Sequence, residues 1–415
     1  MEKIYDRCCG IDVHKKLIVA CMVCGGQKEV REFGATTGEL LKLSDWLSER
    51  DCQMTAMEST GSYWKPLYNV LENSGLKAMV VNAQHMKALP GRKTDVKDAE
   101  WIAELLKHGL LQGSYIPEKA QREMRELVTY RKSLVGNRTQ ELNRLQKMLE
   151  GANIKLSGTV SEINGKSARN LLEVVLSGET FDGTKYEQMR ANKQISGCLK
   201  ASKEELIEDM RGIMTPLQRR MMRELLAHLK ELNDHIQNLD NEIDNFMKQE
   251  EKAACEKIQQ LPGIGKTGAQ AIISVIGIDM SRFPSAGHIA SWAGLCPGNN
   301  ESAGKRRSGK IRKGNALLRA TLITCAHAAV KRRSSYFYAQ FQRISAHRGK
   351  KRAIVAVAHS MLIAIYYMLR DHTDFQDLGA TYYNQFNKER KINSYLKKLT
   401  ALGWTPNLTT IPVTT

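Results

Sequence analysis

The stretch RCCGIDVHKKLIVACMVCGGQKEVREF, residues 7–33, decides the fold of the first part of the chain. It contains three runs rich in apolar and β-branched residues, and Gly25-Gly26 separates the second run from the third. A Gly-Gly pair between such runs is typical of a hairpin turn. We therefore predict three consecutive strands, over Arg7–Val13, Leu17–Cys24 and Glu29–Phe33.

Helical and strand patterns alternate from the third strand to about Leu110. The predicted elements are a helix at Gly38–Arg50, a strand at Met54–Glu58, a helix at Pro66–Ser74, a strand at Ala78–Asn82 and a helix at Asp95–His108. This order of three strands followed by alternating helices and strands indicates an α/β domain, and RNase H-like nucleases share it. In such a sheet the first and fourth strands are usually neighbours.

Four carboxylates stand at the ends of three of these elements. Asp12 lies near the end of the first strand, Glu58 ends the fourth, and Asp95 and Asp98 project from one face at the start of a helix. Hard divalent ions such as Mg²⁺ prefer oxygen ligands, and two such ions suit phosphodiester chemistry. Each residue taken alone is better explained as a helix-start, strand-end or solvated charge. Together they predict a metal site.

The rest of the chain has mainly helical patterns. We predict domains at 1–115, 116–253 and 254–370, followed by a loosely attached tail at 371–415. Inside the second domain, 156–202 has mixed signals that suggest a small helical insert, and 203–253 carries a heptad pattern. Its apolar positions are Met222, Leu225, Leu229, Leu232, Ile236, Leu239, Ile243 and Phe246. This pattern predicts a coiled coil, within the chain or between chains, and Pro216 limits it upstream.

The composition points to a nucleic-acid partner. Lys and Arg number 62 against 44 Asp and Glu, which leaves a formal charge of +18 on a 415-residue chain. Such a charge attracts polyanions. Nine scattered cysteines and a start without an apolar segment predict a reduced, cytoplasmic protein. Cys21 and Cys24 lack a second ligand pair for zinc, and Ala353–Leu369 has the pattern of a buried helix rather than a membrane span.

A second candidate site lies in the segment GLCPGNNESAGKRRSGKIRKGNALLR, which has loop composition and then a helical pattern. Two serines, Ser302 and Ser308, lie among cations that could bind phosphate, namely Lys305, Arg306, Arg307, Lys310, Arg312 and Lys313. A serine in that field could attack a phosphodiester, although its hydroxyl needs activation by a neighbouring group. Spacing alone does not separate the two serines, and either could equally be a phosphate donor or a plain loop residue.

Three further features could contact nucleic acid. The turn LPGIG, with Gly263 and Gly265, matches a helix-hairpin-helix turn whose backbone N–H groups approach a phosphate, or a tight turn between packed helices. Two basic runs, at 331–333 and 347–352, flank a group of aromatic residues. Charge and stacking would let this group bind strands, although a charge run is more often a solvated surface. The group comprises Tyr336, Phe337, Tyr338 and Phe341.

Six motifs together resemble those of one known family. They are GIDVHK around Asp12, MESTGSYWKP around Glu58, KTDVKDA across Asp95 and Asp98, LPGIG, WAGLCP, and the Glu-Ser pair at Ser302. The chain resembles the DEDD transposases of insertion sequences, also called bridge-RNA-guided recombinases. The resemblance covers most of the chain in the right order and is weakest over about 156–202 and the tail.

The resemblance implies a RuvC-like first domain in which Asp12, Glu58, Asp95 and Asp98 coordinate Mg²⁺, for which Mn²⁺ could substitute. It also implies a catalytic serine, placed at Ser302, that joins covalently to DNA during strand exchange. Expected partners are double-stranded target and donor DNA, a structured noncoding bridge RNA, and further copies of the chain as dimers that assemble into a tetramer. Such an enzyme would work in the bacterial cytoplasm, at the nucleoid when bound, with no membrane involved.

Two other functions compete with this interpretation. A RuvC-type, metal-dependent junction nuclease would hydrolyse DNA with the acidic site alone and would not need Ser302. A non-catalytic DNA-binding protein would use the carboxylates only for structure, and metal-dependent strand cleavage would exclude it.

Overall fold

The computed structural model describes residues 4–82, 95–160, 162–196, 199, 201–298, 300–302, 305–308, 310–311, 313–385 and 388–404. For residues 95–97, 300–302, 305–308, 384–385 and 388–391 the description is limited to the backbone. The chain forms two compact units, unit 1 at Met1–Glu118 and unit 2 at Lys119–Thr415. The expected boundary after residue 115 lies close to this division. The finer divisions at 116–253, 254–370 and 371–415 stay predictions.

Unit 1 is built on a five-stranded mixed sheet. Its strands are β1 Arg7–Val13, β2 Leu17–Cys24, β3 Gln27–Gly34, β4 Met54–Glu58 and β5 Ala78–Val81, and their spatial order is β3-β2-β1-β4-β5. The first three strands are antiparallel, and β4 and β5 run parallel to β1. The predicted α/β class and the neighbouring positions of the first and fourth strands are confirmed. Gly25 and Gly26 both have positive φ in the turn between β2 and β3.

In the described part of unit 1, three helices cover the sheet on its two faces. They are α1 Thr37–Ser48, α2 Trp64–Asn73 and α3 Asp95–Lys107. Ile11 and Val13 of β1 join one core with side chains of α1 and α2, whereas Cys8 joins a second core with Ala99 and Ala103 of α3. Because successive strand residues point to opposite faces, β1 must be apolar on both sides. This explains why its sequence does not alternate between apolar and polar residues.

Two long helices begin unit 2, and they pair antiparallel. These are α4 Lys119–Gly151 and α9 Pro216–Phe246. Thr215 caps α9 through a capping box, and Pro216 occupies its first turn, as the proline signal predicted. Four short helices lie between them and share a separate core with the adjoining ends of α4 and α9. They are α5 Leu156–Thr159, α6 Lys166–Ser177, α7 Gly183–Ala191 and α8 Lys203–Asp209.

Six of the eight heptad positions of α9 are buried within the chain, whereas Leu225 is partly buried and Phe246 is 38% exposed. Leu232, Ile236 and Leu239 are buried in one cluster with Leu134 of α4. Met222 and Leu229 pack instead with the small helices, and Ile243 packs with the C-terminal core. The buried heptad face is therefore not available to a second copy of the chain. The coiled coil itself and any part it has in assembly stay predictions.

The remaining described helices of unit 2 follow along the chain, and all but the last two contribute residues to one large core. They are α10 Gln249–Ile258, α11 Lys266–Ile276, α12 Ala286–Trp292, α13 Ala316–Ala329, α14 Tyr336–Arg348, α15 Lys350–Arg370, α16 Tyr382–Gln385 and α17 Lys388–Ala401, with a 3-10 turn at Met280–Arg282. Among the described residues, α15 is long and apolar enough to cross a membrane by length and composition. Its apolar residues Val357, Met361 and Ile365 are fully buried in the core, as predicted for Ala353–Leu369.

The expectation of a loosely attached tail is wrong for its first dozen residues. Phe375 stacks on Phe337 with ring centroids 5.8 Å apart, and Tyr383 stacks on Tyr336 at 5.4 Å. The Asp377 carboxylate accepts from the backbone N–H of Tyr336, at 2.8 Å, and so caps α14. Sequence reasoning missed this attachment because aromatic residues separated by about forty positions leave no local pattern.

Candidate functional site

The first candidate site lies where β1 and β4 end side by side. The parallel register pairs Gly10 with Ala56 and Ile11 with Met57, so the next residues, Asp12 and Glu58, are neighbours. Residues in register on parallel strands point to the same face of a sheet. Asp12 is 6% exposed and Glu58 is partly buried. The sheet therefore places Asp12 and Glu58 at adjacent strand ends, and a shared metal site there stays a prediction.

Helix α3 crosses this face of the sheet in direct backbone contact. A Cβ atom on Gly10 would lie 2.3 Å from the carbonyl oxygen of Ala99 and 2.3 Å from the backbone nitrogen of Ala103. The Cys8 thiol meets the same helix further along, 3.8 Å from the Ala103 carbonyl oxygen. Residues further along β1, from Cys8 to Gly10, thus contact positions nearer the N-terminus of α3. The same progression places Asp12 under the first turn of α3.

That first turn carries the other two predicted carboxylates. Asp95 begins α3, and the partly buried Asp98 directly precedes the Ala99 that contacts β1. The Asp95 side chain lies outside the described residues, and among the described side chains no group of three His, Cys, Asp or Glu is placed to hold a metal ion. The backbone thus brings three acidic elements to one edge, while metal coordination by all four residues stays a prediction.

The residue types at this edge are those that a hard divalent cation prefers, but the described side chains alone do not form a three-ligand group. The described side chains at the edge offer carboxylate oxygens from Asp12, Glu58 and Asp98, and Mg²⁺ prefers such ligands together with water. The positive end of α3 also favours negative charge at its first turn, but by only about 0.3–1 kcal/mol for each interaction. That is too little to hold several neighbouring carboxylates ionised, so a bound cation would suit the site better than the helix alone.

One further residue at this edge was missed by sequence reasoning. The Nε2 atom of His14 lies 3.0 Å from Oδ2 of Asp12. His14 stands two positions after Asp12 in GIDVHK, and residues i and i+2 of an extended strand share a face. This spacing is the signal that the sequence offers for the contact.

The second candidate site contains a β-hairpin where a loop was predicted. Strands β6 Asn300–Ser302 and β7 Lys305–Ser308 pair antiparallel, with Ser302 opposite Lys305 and Asn300 opposite Ser308. Ser302 therefore lies beside the hairpin turn and Ser308 at its base. The structure does not describe the side chains of Ser302 and Ser308, or those of Arg306 and Arg307. It therefore does not show which of the two serines is the better candidate for the nucleophile.

The base of this hairpin is fixed to the core of unit 2. The Gly298 N–H donates to the Lys310 carbonyl oxygen at 2.8 Å, and Pro297 forms a bridge with Ile311. A Cβ atom on Gly314 would lie 2.4 Å from the backbone of Ala293 and Gly294, so the returning strand touches the end of α12. Lys310 and Lys313 are exposed, and Arg312 lies outside the described residues.

The turn with Gly263 and Gly265 connects α10 to α11, as predicted. Gly263 has a φ of +85°, and a Cβ atom there would lie 2.4 Å from the Ala329 nitrogen and the Cys325 carbonyl oxygen. Close packing against α13 therefore accounts for this glycine. Gly265 has open space beside its Cα and precedes the first turn of α11. A phosphate contact at either glycine stays a prediction.

The prediction that the aromatic residues at 336–341 stack on nucleic acid is wrong for Tyr336 and Phe337. Phe337 is 2% exposed and belongs to the core, and Tyr336 packs against Tyr382 and Tyr383 of the tail. Burial also raises the pKa of the Tyr336 hydroxyl more than any other contribution does. These rings are occupied by packing inside unit 2 and are not presented to a nucleic-acid strand. The basic residues at 331–333 and 347–352 are exposed.

Two family models match the chain in sequence order. Residues 9–154 match the DEDD transposases of the IS110 type, and residues 255–342 match the transposase IS116/IS110/IS902 family. The first match contains Asp12, Glu58, Asp95 and Asp98, and the second contains the LPGIG turn and the β6–β7 hairpin. Both candidate sites therefore lie inside matched regions.

Similar proteins come from several bacteria. A putative transposase, y4pF/y4sB, of Sinorhizobium fredii is 25% identical over 319 residues, which cover 74% of this chain and 70% of the relative. An uncharacterized 42 kDa protein of insertion element IS900 from Mycobacterium paratuberculosis is 24% identical over 336 residues, 73% of this chain and 81% of the relative. A pilin gene-inverting protein of Moraxella lacunata is 29% identical over 153 residues, 36% of this chain and 47% of the relative.

Among solved structures, RuvC of T. thermophilus in complex with a Holliday junction substrate matches 26% of this chain and all of its own chain, with 10% identity and a TM-score of 0.21. A likeness this weak supports no conclusion about fold or function. The family models and the relatives agree on one class of protein. The chain belongs to the IS110 family of DEDD transposases, and it is an enzyme that acts on DNA.

Proposed function

We propose that the chain moves its own insertion sequence by Mg²⁺-dependent cleavage and exchange of DNA strands through a serine nucleophile. The observation that carries this proposal is the position of Asp12 and Glu58 at adjacent strand ends, beneath the helix turn that bears Asp95 and Asp98. Carboxylates from three elements at one sheet edge are the arrangement that metal-dependent phosphodiester chemistry needs.

Asp12, Glu58, Asp95 and Asp98 would hold Mg²⁺, with Mn²⁺ as a substitute. A bound divalent cation would polarise the phosphoryl oxygen and lower the pKa of an attacking hydroxyl. The protein contributes rigidity, because Asp12 is on a strand buried on both faces and Asp98 is on a helix in backbone contact with that strand. Positions fixed in this way suit a reaction that depends on in-line geometry.

Ser302 would attack the phosphodiester, form a covalent link to DNA and later be displaced by a DNA hydroxyl. Its place beside the turn of an anchored hairpin, next to Lys305, Arg306 and Arg307, supports this role. The cations would bind the phosphate and stabilise the charge that develops during attack. Lys310, Arg312, Lys313, Gly263 and Gly265 would extend the phosphate-binding surface.

The partners proposed are double-stranded target and donor DNA and a structured bridge RNA that selects them. The charge of +18 supports a large polyanionic load, although it does not distinguish RNA from DNA. We further propose that copies of the chain form dimers that assemble into a tetramer in the cytoplasm. Since the heptad face of α9 is buried within the chain, other surfaces would have to make those contacts.

A RuvC-type hydrolytic nuclease is the alternative function. One observation favours this alternative. The acidic edge lies wholly inside unit 1, and unit 1 has two hydrophobic cores of its own. A hydrolase of this kind would need neither Ser302 nor a covalent intermediate.

Detection of a covalent protein–DNA adduct on a denaturing gel tests the proposal directly. Purified protein, element-end DNA, flanking RNA and Mg²⁺ would be combined for wild type, Ser302→Ala and Ser308→Ala. We expect an adduct from wild type and Ser308→Ala and none from Ser302→Ala. Asp12→Asn and Asp98→Asn should abolish strand transfer while DNA binding is retained.

Three outcomes would contradict parts of this proposal. An adduct that survives in Ser302→Ala but is lost in Ser308→Ala would move the nucleophile to Ser308. Cleavage without an adduct, unaffected by either serine variant, would establish the hydrolytic nuclease. Near wild-type strand transfer by Asp12→Asn would exclude the metal site.

A further inference from the structure

His14 is a polar side chain in contact with Asp12 at the acidic edge, and the proposed mechanism gives it no role. Its Nε2 atom lies 3.0 Å from Asp12 Oδ2. The Asp12 side chain is 8% exposed, whereas the His14 side chain is 45% exposed. A largely accessible imidazole therefore contacts a buried carboxylate.

The backbone holds His14 in place without help from the carboxylate. Its N–H donates to the Leu17 carbonyl oxygen at 2.9 Å and closes the β1–β2 hairpin around Lys15 and Lys16. Val13 pairs with Ile18 directly before this closure. His14 is thus part of a tight hairpin end, and its position two residues after Asp12 puts both side chains on the face covered by α3.

The direction of the hydrogen bond follows from the chemistry of the two groups. An ionised carboxylate can only accept, so the Nε2–H of His14 donates to Asp12. An imidazole N–H can donate whether or not the ring is charged. It can therefore orient a carboxylate without adding a fixed positive charge that would compete with a divalent cation.

We propose that His14 is a positioning residue that holds Asp12 in the orientation that receives the divalent cation. This inference rests on the proposed function, because it presupposes that Asp12 is a metal ligand. Hydrogen bonds to ligating carboxylates fix their orientation, and loss of such a partner typically weakens metal binding about 10–100-fold. A purely structural His14 would affect stability and leave metal affinity unchanged.

Direct measurement of Mn²⁺ binding to the full chain, by electron paramagnetic resonance or calorimetry, separates these roles. The variants are His14→Ala, His14→Gln, Asp12→Asn and His108→Ala. His108 is a matched control, because its Nε2 atom lies 3.2 Å from Glu104 Oε1 on α3, in the same unit. A glutamine at position 14 retains an N–H donor that can reach the carboxylate.

We expect His14→Ala to bind Mn²⁺ about 10-fold more weakly, with partial recovery in His14→Gln and wild-type affinity in His108→Ala. In strand cleavage, His14→Ala should need more Mg²⁺ for half-maximal rate and approach the wild-type rate at saturating Mg²⁺. Urea unfolding of each variant shows whether it is folded, and only folded variants enter the comparison.

The outcomes distinguish this inference from the proposed function. Wild-type affinity in Asp12→Asn would exclude the metal site itself. Loss of binding in Asp12→Asn together with wild-type affinity in His14→Ala would overturn the inference alone. Equal losses in His14→Ala and His14→Gln would also overturn it, because the ring would then act other than as a hydrogen-bond donor. Should His14→Ala fail to fold, His14→Leu, which also lacks a hydrogen-bond donor, replaces it in the comparison with His14→Gln.

Discussion

Gly10 shows how a single residue positions the acidic edge. The contact between β1 and α3 is possible because position 10 has no side chain, which lets the helix backbone approach the strand. Asp12 and Asp98 lie directly beside this contact. The glycine thus sets the distance between two carboxylate-bearing elements, although the motif GIDVHK draws attention to the aspartate.

Gly10→Ala should destabilise the protein by about 1–3 kcal/mol, the usual cost of overpacking, because the new methyl group would meet the helix backbone. Gly38→Ala in α1 is the matched control, since a Cβ atom there meets nothing within 4 Å. It should be neutral or stabilising by about 0.5–1 kcal/mol. Urea unfolding measures both, and equal stability of the two variants would contradict the close contact.

His359 gives a prediction about pH. Burial lowers the pKa of this side chain below its usual 6.5, because the charged imidazolium loses hydration in the folded state. The unfolded chain therefore binds the proton more readily. The stability contributed by neutral His359 is present above pH about 6.5 and is lost as pH falls towards the folded-state pKa.

The free energy of unfolding of the wild type should accordingly decrease as the pH falls from about 7 to about 5. That of His359→Gln should decrease less, because glutamine cannot take up the proton. Urea unfolding at several pH values checks this. The exposed His235 of α9 supplies the control His235→Gln, which should follow the wild-type curve. Parallel curves for wild type and His359→Gln would show that burial of His359 does not contribute.

The pairing of α4 with α9 depends on polar contacts as well as on the apolar face. Arg131 donates to both carboxylate oxygens of Asp240, and Arg138 donates to the Asn233 side-chain oxygen at 3.3 Å. These two contacts lie one heptad apart on both helices. Polar pairs at such positions select one register, because any shift separates them.

Asp240→Ala should destabilise unit 2 by about 1–2 kcal/mol, since it leaves the partly buried Arg131 without its charged partner. In a double-mutant cycle with Arg131→Ala, the coupling should be in the range of about 0.5–3 kcal/mol. Asp234→Ala, an exposed position on the same helix, should change stability by less than about 0.5 kcal/mol. Zero coupling would mean that apolar packing alone sets the register.

At the scale of the whole molecule, the excess of positive charge should dominate DNA affinity. Each neutralised phosphate contributes about −0.9 to the slope of log affinity against log salt concentration. A triple variant in which glutamine replaces Lys305, Arg306 and Arg307 should therefore show a slope smaller in magnitude by up to about 2.7. Binding measured between 50 and 200 mM salt gives the slope.

A matched triple variant at exposed lysines of α4 and α9 controls for net charge. Replacement of Lys132, Lys147 and Lys230 by glutamine removes an equal number of positive charges from elsewhere on unit 2. This variant should change the slope much less than the hairpin variant. Equal changes would show that the total charge, and not the hairpin, sets DNA affinity.

The sequence by itself determined the elements whose formation is local. The bounds of β1, β2 and β4 agree with the prediction, because apolar β-rich runs and a Gly-Gly turn act over a few residues. The start of α9 at Pro216 follows from an equally local signal, whereas the mixed pattern of 156–202 only suggested the short helices found there. The motifs around Asp12, Glu58, Asp95 and Asp98 also identified the family, since motif identity is a property of sequence alone.

Only the tertiary structure decided which residues meet. The approach of α3 to Gly10, the bond between His14 and Asp12, the burial of the heptad face by α4 and the attachment of the tail to α14 all depend on long-range packing. Such contacts form between residues whose local sequences carry no sign of one another. Their stability comes from excluding water across elements, which is a property of the assembled core and not of any segment.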